Sequence, residues 1–276
     1  MRIAVTGGSG GIGRAIIDMA VAQGHHPVRI DRVPPPEGAS HLTLPFVELD
    51  LADYDAVLRA FQGCDAIVHM GAIPSPGHLP DHIVHNNNVV GSYNVLRAAA
   101  ELGITHICQA SSVNATGAAY SRWPHYDYFP LDEQHPTYNE DPYSLSKWIC
   151  EIQADSIARR FEHMTIASMR FHWVVPDRGV AASYNQRIGD ALAKHLWGYT
   201  TFDAAARACL LALTASYKGH EVFYIIGPTT TTDESSLDLA RRFFPEVPIR
   251  GDLSGNRSFF DCSKAERLLG WKHDLA

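Results

Sequence analysis

Short apolar runs alternate with longer stretches of helical period along most of this chain. Residues 2–6 read as a buried strand, and the apolar spacing from Ile12 to Gln23, closed by Gly24, predicts a helix. A strand over Val28–Asp31 follows, then a proline-rich loop and a strand ending in Val47-Glu48-Leu49-Asp50. Asp53 is placed to cap a helix that runs to Phe61. Ala66–Met70 is another apolar strand, a long helix is predicted from about His85 to Glu101 with Gly103 at its end, and Ile104–Gln109 runs straight into Ser111-Ser112. A helix opening at Pro142 and a strand over Thr165–Phe171 complete the regular part. Strands separated by helices of this length imply βαβ units, and so a doubly wound parallel α/β sheet of Rossmann type.

After residue 175 the rhythm loosens. Helices near 186–196 and 203–215, a strand at 221–226, a helix capped by Asp233 and a last one started by Ser263 are expected. This stretch is short for an independent core. The expected organisation is a dinucleotide-binding domain over 1–175 and a small substrate-side annex over 176–276, packed on the same sheet.

The turn between the first strand and helix is Thr6-Gly7-Gly8-Ser9-Gly10-Gly11-Ile12-Gly13. Gly7, Gly10, Gly11 and Gly13, with Ile12, let backbone approach a pyrophosphate whose charge then sits at a helix N-terminus. Asp31 lies about twenty residues on, at the end of the second strand, where its carboxylate can accept both ribose hydroxyls and repel a 2′-phosphate. NAD is the expected cofactor. Arg32 beside it is the residue that could instead welcome a phosphate.

Asp141-Pro142-Tyr143-Ser144-Leu145-Ser146-Lys147 puts Tyr143 and Lys147 at i and i+4 on one helix face. A phenol near pKa 10 is a poor base at neutral pH, and a nearby ammonium together with a nicotinamide cation would favour its ionised form. Ser111, Ser112 and Asn114 stand at the carboxyl end of the fifth strand, where ligands of such sheets bind, and a serine hydroxyl there can hold a substrate oxygen.

These motifs, taken together, resemble the extended short-chain dehydrogenases/reductases of the NAD-dependent epimerase/dehydratase family. Further stretches carry the likeness: Asp50-Leu51, His69-Met70-Gly71-Ala72, the run from Asn88 to Leu96, and Leu268-Leu269-Gly270-Trp271-Lys272. The resemblance implies Ser112, Tyr143 and Lys147 as a catalytic triad, with Ser111 as the alternative serine. It places Asp50 and Leu51 against adenine, gives Gly71 and Ala72 to the loop after the fourth strand, and makes Asn88 a structural or proton-relay member. It also implies a homodimer. Val113 and Asn114 stand where the family's sugar-nucleotide dehydratases carry an acidic pair, which argues against dehydration. The short C-terminal part is closest in layout to uronate dehydrogenases.

The reaction so implied is hydride transfer between NAD and a secondary alcohol of a sugar or sugar-acid-like substrate. A sugar epimerase is the alternative, and a non-catalytic dinucleotide sensor is an alternative of another class. An acidic substrate would call for a cation, for which Arg178 and Arg187 are the candidates. The aromatic run Tyr120, Trp123, Tyr126, Tyr128 and Phe129 could roof the substrate or pack on the protein itself.

Composition narrows the field. A net charge of −7 without an acidic tail or basic stripe argues against nucleic acid and anionic membrane as partners. No charged and apolar leader follows Met1, no run approaches ~20 apolar residues, and five scattered cysteines form no C-x-x-C pair. A cytoplasmic enzyme without a metal site or disulfides is expected, and the fifteen histidines include no H-E-x-x-H motif.

Overall fold

The computed structural model describes residues 1–274. In chain order the elements are β1 (Arg2–Thr6), α1 (Gly11–Ala22), β2 (His26–Asp31), β3 (Phe46–Glu48), α2 (Tyr54–Phe61), β4 (Ala66–His69), α3 (Asp81–Leu102), β5 (His106–Ser112), α4 (Pro142–Arg160) and β6 (Thr165–Phe171). There follow β7 (Val174–Val175), α5 (Arg178–Ser183), α6 (Asn185–Ile188), β8 (Thr200–Thr201), α7 (Phe202–Ala212), β9 (Gly219–Ile225), α8 (Ser236–Phe243) and α9 (Ser263–Leu269).

Seven strands form one parallel sheet in the order β3-β2-β1-β4-β5-β6-β9. The chain runs outward from β1 in one direction and from β4 in the other, so the order reverses between these two strands. At such a switch point the loops part above the carboxyl ends and leave a crevice. Side-chain alternation serves both faces. Ile3 and Val5 join Ile16, Ile17 and Phe223 on the side of α1 and α7, whereas Ala4 joins Ile67, Leu96 and Ile157 on the side of α2, α3 and α4. Burial on both faces is why these strands read as continuous apolar runs.

Chain on both sides of residue 175 enters this sheet. α7 and β9 complete the main layers, while a third core of Tyr126, Phe129, Trp197, Leu239 and Phe259 gathers the 120s loop and the C-terminal third. Three local expectations are corrected. α3 begins one turn early, at Asp81 after Pro80, in a stretch whose histidines and asparagines hide the helical period. The expected 186–196 helix is a single α turn followed by 3-10 turns. The helix assigned to an Asp233 cap is capped instead by Ser235, whose hydroxyl accepts from the Asp238 amide; the Asp233 carboxylate is held by Arg178 at 2.7 Å.

Candidate active site

The glycine loop closes against the ends of β1 and β4. Gly7 has φ +66°, and a Cβ there would lie 2.7 Å from the Gly71 amide nitrogen. A Cβ on Gly13 would lie 2.2 Å from the Gly7 carbonyl oxygen. The bare backbone leaves a cradle at the N-terminus of α1. Thr6 ties its floor together, for its hydroxyl meets His69 Nδ1 at 2.7 Å and accepts from the Gly71 amide at 3.2 Å. Burial brings the His69 pKa down to about 3, and Lys147 adds to the effect, so the imidazole is neutral.

From this cradle a cleft of ≈ 290 Å³ runs toward the ends of β2 and β3. Its walls include Gly7, Gly10, Gly11, Ile12 and Gly13, then Asp31, Arg32, Asp50, Leu51, Gly71 and Ala72. The Asp31 carboxylate accepts from the Ser9 and Arg32 amides at 3.0 and 2.7 Å, which fixes it at the rim. The Arg32 guanidinium leans to Asp50 at 3.9 Å, and both are exposed. The shape and donor set fit a dinucleotide: a cradle of amides for the pyrophosphate, an anchored carboxylate for ribose hydroxyls and Leu51 for an apolar ring.

Asn88 lies elsewhere. Its side chain clamps the loop after β4 to α4, accepting from the Ile73 amide at 2.8 Å and donating to the Ile73 carbonyl at 3.1 Å and the Ser146 hydroxyl at 3.0 Å. Asn87, which the sequence reading did not single out, lines the cleft in its place.

The cleft continues through Gly11, Ile12, Met70, Ala72, Pro74 and Ala110 into a second chamber of ≈ 390 Å³ that holds the expected chemistry. Asp141 caps α4 by accepting from the Tyr143 and Ser144 amides, and Pro142 takes the first turn, so the helix opens with Tyr143 facing the chamber. The Lys147 Nζ donates to the Ala110 carbonyl at 3.0 Å and stands 5.9 Å from the Tyr143 ring centre. Ser112 Oγ accepts from the Asn114 amide at 3.1 Å and from its side-chain nitrogen at 3.3 Å. Two accepted bonds occupy both lone pairs, which leaves the Ser112 proton to be donated into the chamber.

Adjacent strand residues face opposite ways, and the serine pair shows it. The Ser111 hydroxyl donates at 2.5 Å to Glu151, which pairs with Arg170 through two bonds of 2.9 and 2.8 Å, all buried behind the site. Burial pushes the Tyr143 phenol above its ordinary range, and its hydrogen bond with Ser112 works in the opposite direction. Burial also pulls Lys147 below the usual lysine range, against the opposing influence of Cys150 and Glu151. Desolvation therefore outweighs, in the protein alone, the ammonium effect expected from the i, i+4 spacing.

The arginines proposed for an acidic substrate do not line the chamber. Arg178 donates to the Thr230 and Thr232 carbonyls and to Asp233, and Arg187 is exposed on α6. Of the aromatic run, Tyr120 alone reaches the site, edge-on to Tyr143 with ring centres 5.7 Å apart. Tyr126, Tyr128 and Phe129 are buried, and Trp123 is 83% exposed. The chamber also holds His172, Trp173 and Phe202, which sequence reasoning missed. A larger hollow of ≈ 560 Å³ near Arg257 and Trp271 contains none of the expected site residues.

Among the described residues no cluster of His, Cys, Asp and Glu could hold a metal ion, and no helix is long and apolar enough to cross a membrane.

The chain is 26% identical over 301 residues to a putative UDP-glucose 4-epimerase of Methanocaldococcus jannaschii, covering 99% of this chain and 93% of that protein. Among solved structures, the UDP-glucose 4-epimerase of Thermotoga maritima with UDP-glucose matches with a TM-score of 0.74 at 22% identity, over 100% of this chain and 94% of the other. A mutated uronate dehydrogenase matches with a TM-score of 0.70 at 24% identity, over 100% of this chain and 82% of the other. Both structures share the fold. The model of the NAD dependent epimerase/dehydratase family matches residues 3–227. With that match over most of its length, the chain belongs to the NAD dependent epimerase/dehydratase family, and its cofactor is NAD.

Proposed function

We propose that this protein is a dehydrogenase that oxidises a secondary alcohol of a sugar or sugar-acid-like substrate, reversibly. The observation that carries the reading is the continuity of the dinucleotide cleft with the chamber holding Ser112, Tyr143 and Lys147. NAD, when bound, takes up two electrons and a hydrogen from the substrate carbon. The Tyr143 phenolate takes the hydroxyl proton, Ser112 shifts its hydrogen bond from Tyr143 to the substrate oxygen and holds it, and Lys147 supplies a fixed positive charge beside the phenol. In the reverse direction the Tyr143 phenol returns the proton.

A second reading, a nucleotide-sugar epimerase, draws on the likeness to the archaeal protein. Against it, Lys147 is the single lysine or arginine lining the chamber among the described residues, and its ammonium is anchored on the Ala110 carbonyl beside Tyr143. A diphosphate there would have to share that one cation with the proton chemistry. The sensor reading is disfavoured because the tyrosine, lysine and serine meet in one chamber. Exposed Val90, Tyr93 and Ile152 on α3 and α4 support a homodimer, and five free cysteines support a cytoplasmic setting.

The test is to incubate the protein with excess NAD and a panel of free sugars, sugar acids and nucleotide sugars while following reduced cofactor by absorbance. Stoichiometric NADH with a free sugar or sugar acid is the expected result. Conversion of a nucleotide sugar to its epimer with no net NADH would overturn the dehydrogenase.

A further inference from the structure

Asn114 stands in the 3-10 turn that follows β5 and is 8% exposed. Both ends of its carboxamide are used within the protein. Oδ1 accepts from the Ala119 amide at 2.9 Å, and Nδ2 donates to Ser112 Oγ at 3.3 Å. A backbone amide only donates, so the oxygen faces Ala119 and the nitrogen is thereby turned to Ser112. The turn itself is pinned. The Gly117 amide donates to the Asn114 carbonyl at 2.8 Å, and Gly117 has φ +86°, with the Tyr138 carbonyl carbon 2.5 Å from where a Cβ would stand.

A serine hydroxyl rotates to suit its neighbours, and its proton goes where donors leave room. The Asn114 backbone amide reaches Ser112 Oγ at 3.1 Å and by itself would leave one lone pair open. The side-chain N–H fills the second, so the proton is directed to Tyr143. Around the Tyr143 phenol, Tyr120 from the loop after Ala119, Asp141 from the cap of α4 and Cys150 act with burial against ionisation, whereas the Ser112 hydrogen bond favours it. The Lys147 ammonium stands 5.9 Å from the ring centre. An aspartate in place of Asn114 would still accept from Ala119. At Ser112, however, it too could only accept, and it would draw the hydroxyl proton to itself.

We propose that Asn114 is a positioning residue: locked by the Ala119 amide, its carboxamide donates to Ser112 and so aims the Ser112 proton first at Tyr143 and then at the substrate oxygen. The proposal rests on the Ser112–Tyr143 proton chemistry of the dehydrogenase reading.

The experiment compares wild-type holoenzyme with Asn114→Asp and Asn114→Ala, each alone and combined with Ser112→Ala. The readout is the pH profile of kcat/KM for a sugar that the wild type oxidises, with NAD titration to check that the cleft is intact. Asn114→Ala loses the side-chain bonds to Ser112 and Ala119, and kcat/KM at neutral pH should fall by about 2- to 10-fold, the worth of a neutral hydrogen bond. Asn114→Asp keeps the shape and the Ala119 bond but reverses the bond at Ser112. It should lose roughly tenfold or more and move the rising limb of the profile to higher pH, as Ser112→Ala does. A packing role ranks the two variants the other way, because the near-isosteric aspartate would then be the mild one. With Ser112→Ala in place, Asn114→Ala should add less than about twofold, and Asn114→Asp should lose most of its effect.

An Asn114→Asp protein milder than Asn114→Ala, or losses that persist at full size in the Ser112→Ala background, would overturn the inference. Persistence would mark a direct effect of charge or packing on Tyr143. Either variant decides the background comparison by itself if the other does not fold. NADH production by the wild type decides the dehydrogenase reading separately. If sugars are epimerised without NADH, that reading falls, and the same variants are compared on the epimerisation rate.

Discussion

Ser111 and Ser112 are chemically identical neighbours with different tasks, and the pleat of β5 separates them. Ser111 is spent on the buried Glu151–Arg170 pair, and Ser112, whose oxygen already accepts from Asn114, has its proton left for Tyr143. That contact is the one that pulls the Tyr143 phenol downward, against burial. The sign of its removal follows. Tyr143 acts as a base when ionised, so oxidation rises with pH through its pKa; Ser112→Ala raises that pKa and moves the rising limb of kcat/KM to higher pH. At neutral pH the oxidation rate should fall roughly tenfold or more, since a hydrogen bond to a charged group is worth about 1.5–3 kcal/mol. A pH–rate profile of the variant checks this, and an unmoved limb would remove Ser112 from the proton chemistry. The sequence pattern left the serine pair open, because a strand's alternation says that neighbours part but not which face holds the site. His172, Trp173 and Phe202 were illegible for another reason: they belong to no motif and reach the chamber only through the fold.

At the scale of elements, β1, the glycine loop and α1 act as one part. Their sequence signals are strong because each has a local physical cause: apolar alternation, glycines where a Cβ would collide, and a helix opening on the phosphate side. Gly13→Ala tests the part as a whole. The new methyl would stand 2.2 Å from the Gly7 carbonyl oxygen and 2.8 Å from the Gly8 Cα, so the N-terminal turn of α1 must back away from the cradle. Titration calorimetry should show NAD affinity at least about tenfold weaker, with about 1–3 kcal/mol lost in stability. Undiminished affinity would mean that the cradle does not hold the pyrophosphate. The elements after β6 were harder to read. Their caps and partners are distant, as with Arg178, whose bonds reach residues 52–55 positions on, and several polar residues there are equally good caps until tertiary contacts choose between them.

At the scale of the molecule, the carboxyl edge of the sheet and the segments that follow β6 meet over one continuous cleft. The sheet brings three distant segments to its carboxyl edge: the glycine loop, the end of β5 and the first turns of α4. Chain from the end of β6 onward closes the far wall through the β6–β7 link and α7, which is why residues such as Trp173 and Phe202 join a site whose motifs all lie before residue 150. The division of labour along this cleft is the central claim: NAD is held chiefly by the loop and the β2–β3 end, whereas the proton passes through Tyr143. Tyr143→Phe separates the two. The variant removes one hydroxyl at the far end of the cleft and leaves the Gly7–Gly13 cradle and Asp31 untouched. With a sugar that the wild type oxidises, NAD binding should stay within about threefold while turnover falls by roughly 10²-fold or more. Near-normal turnover by the Tyr143→Phe protein would contradict the account.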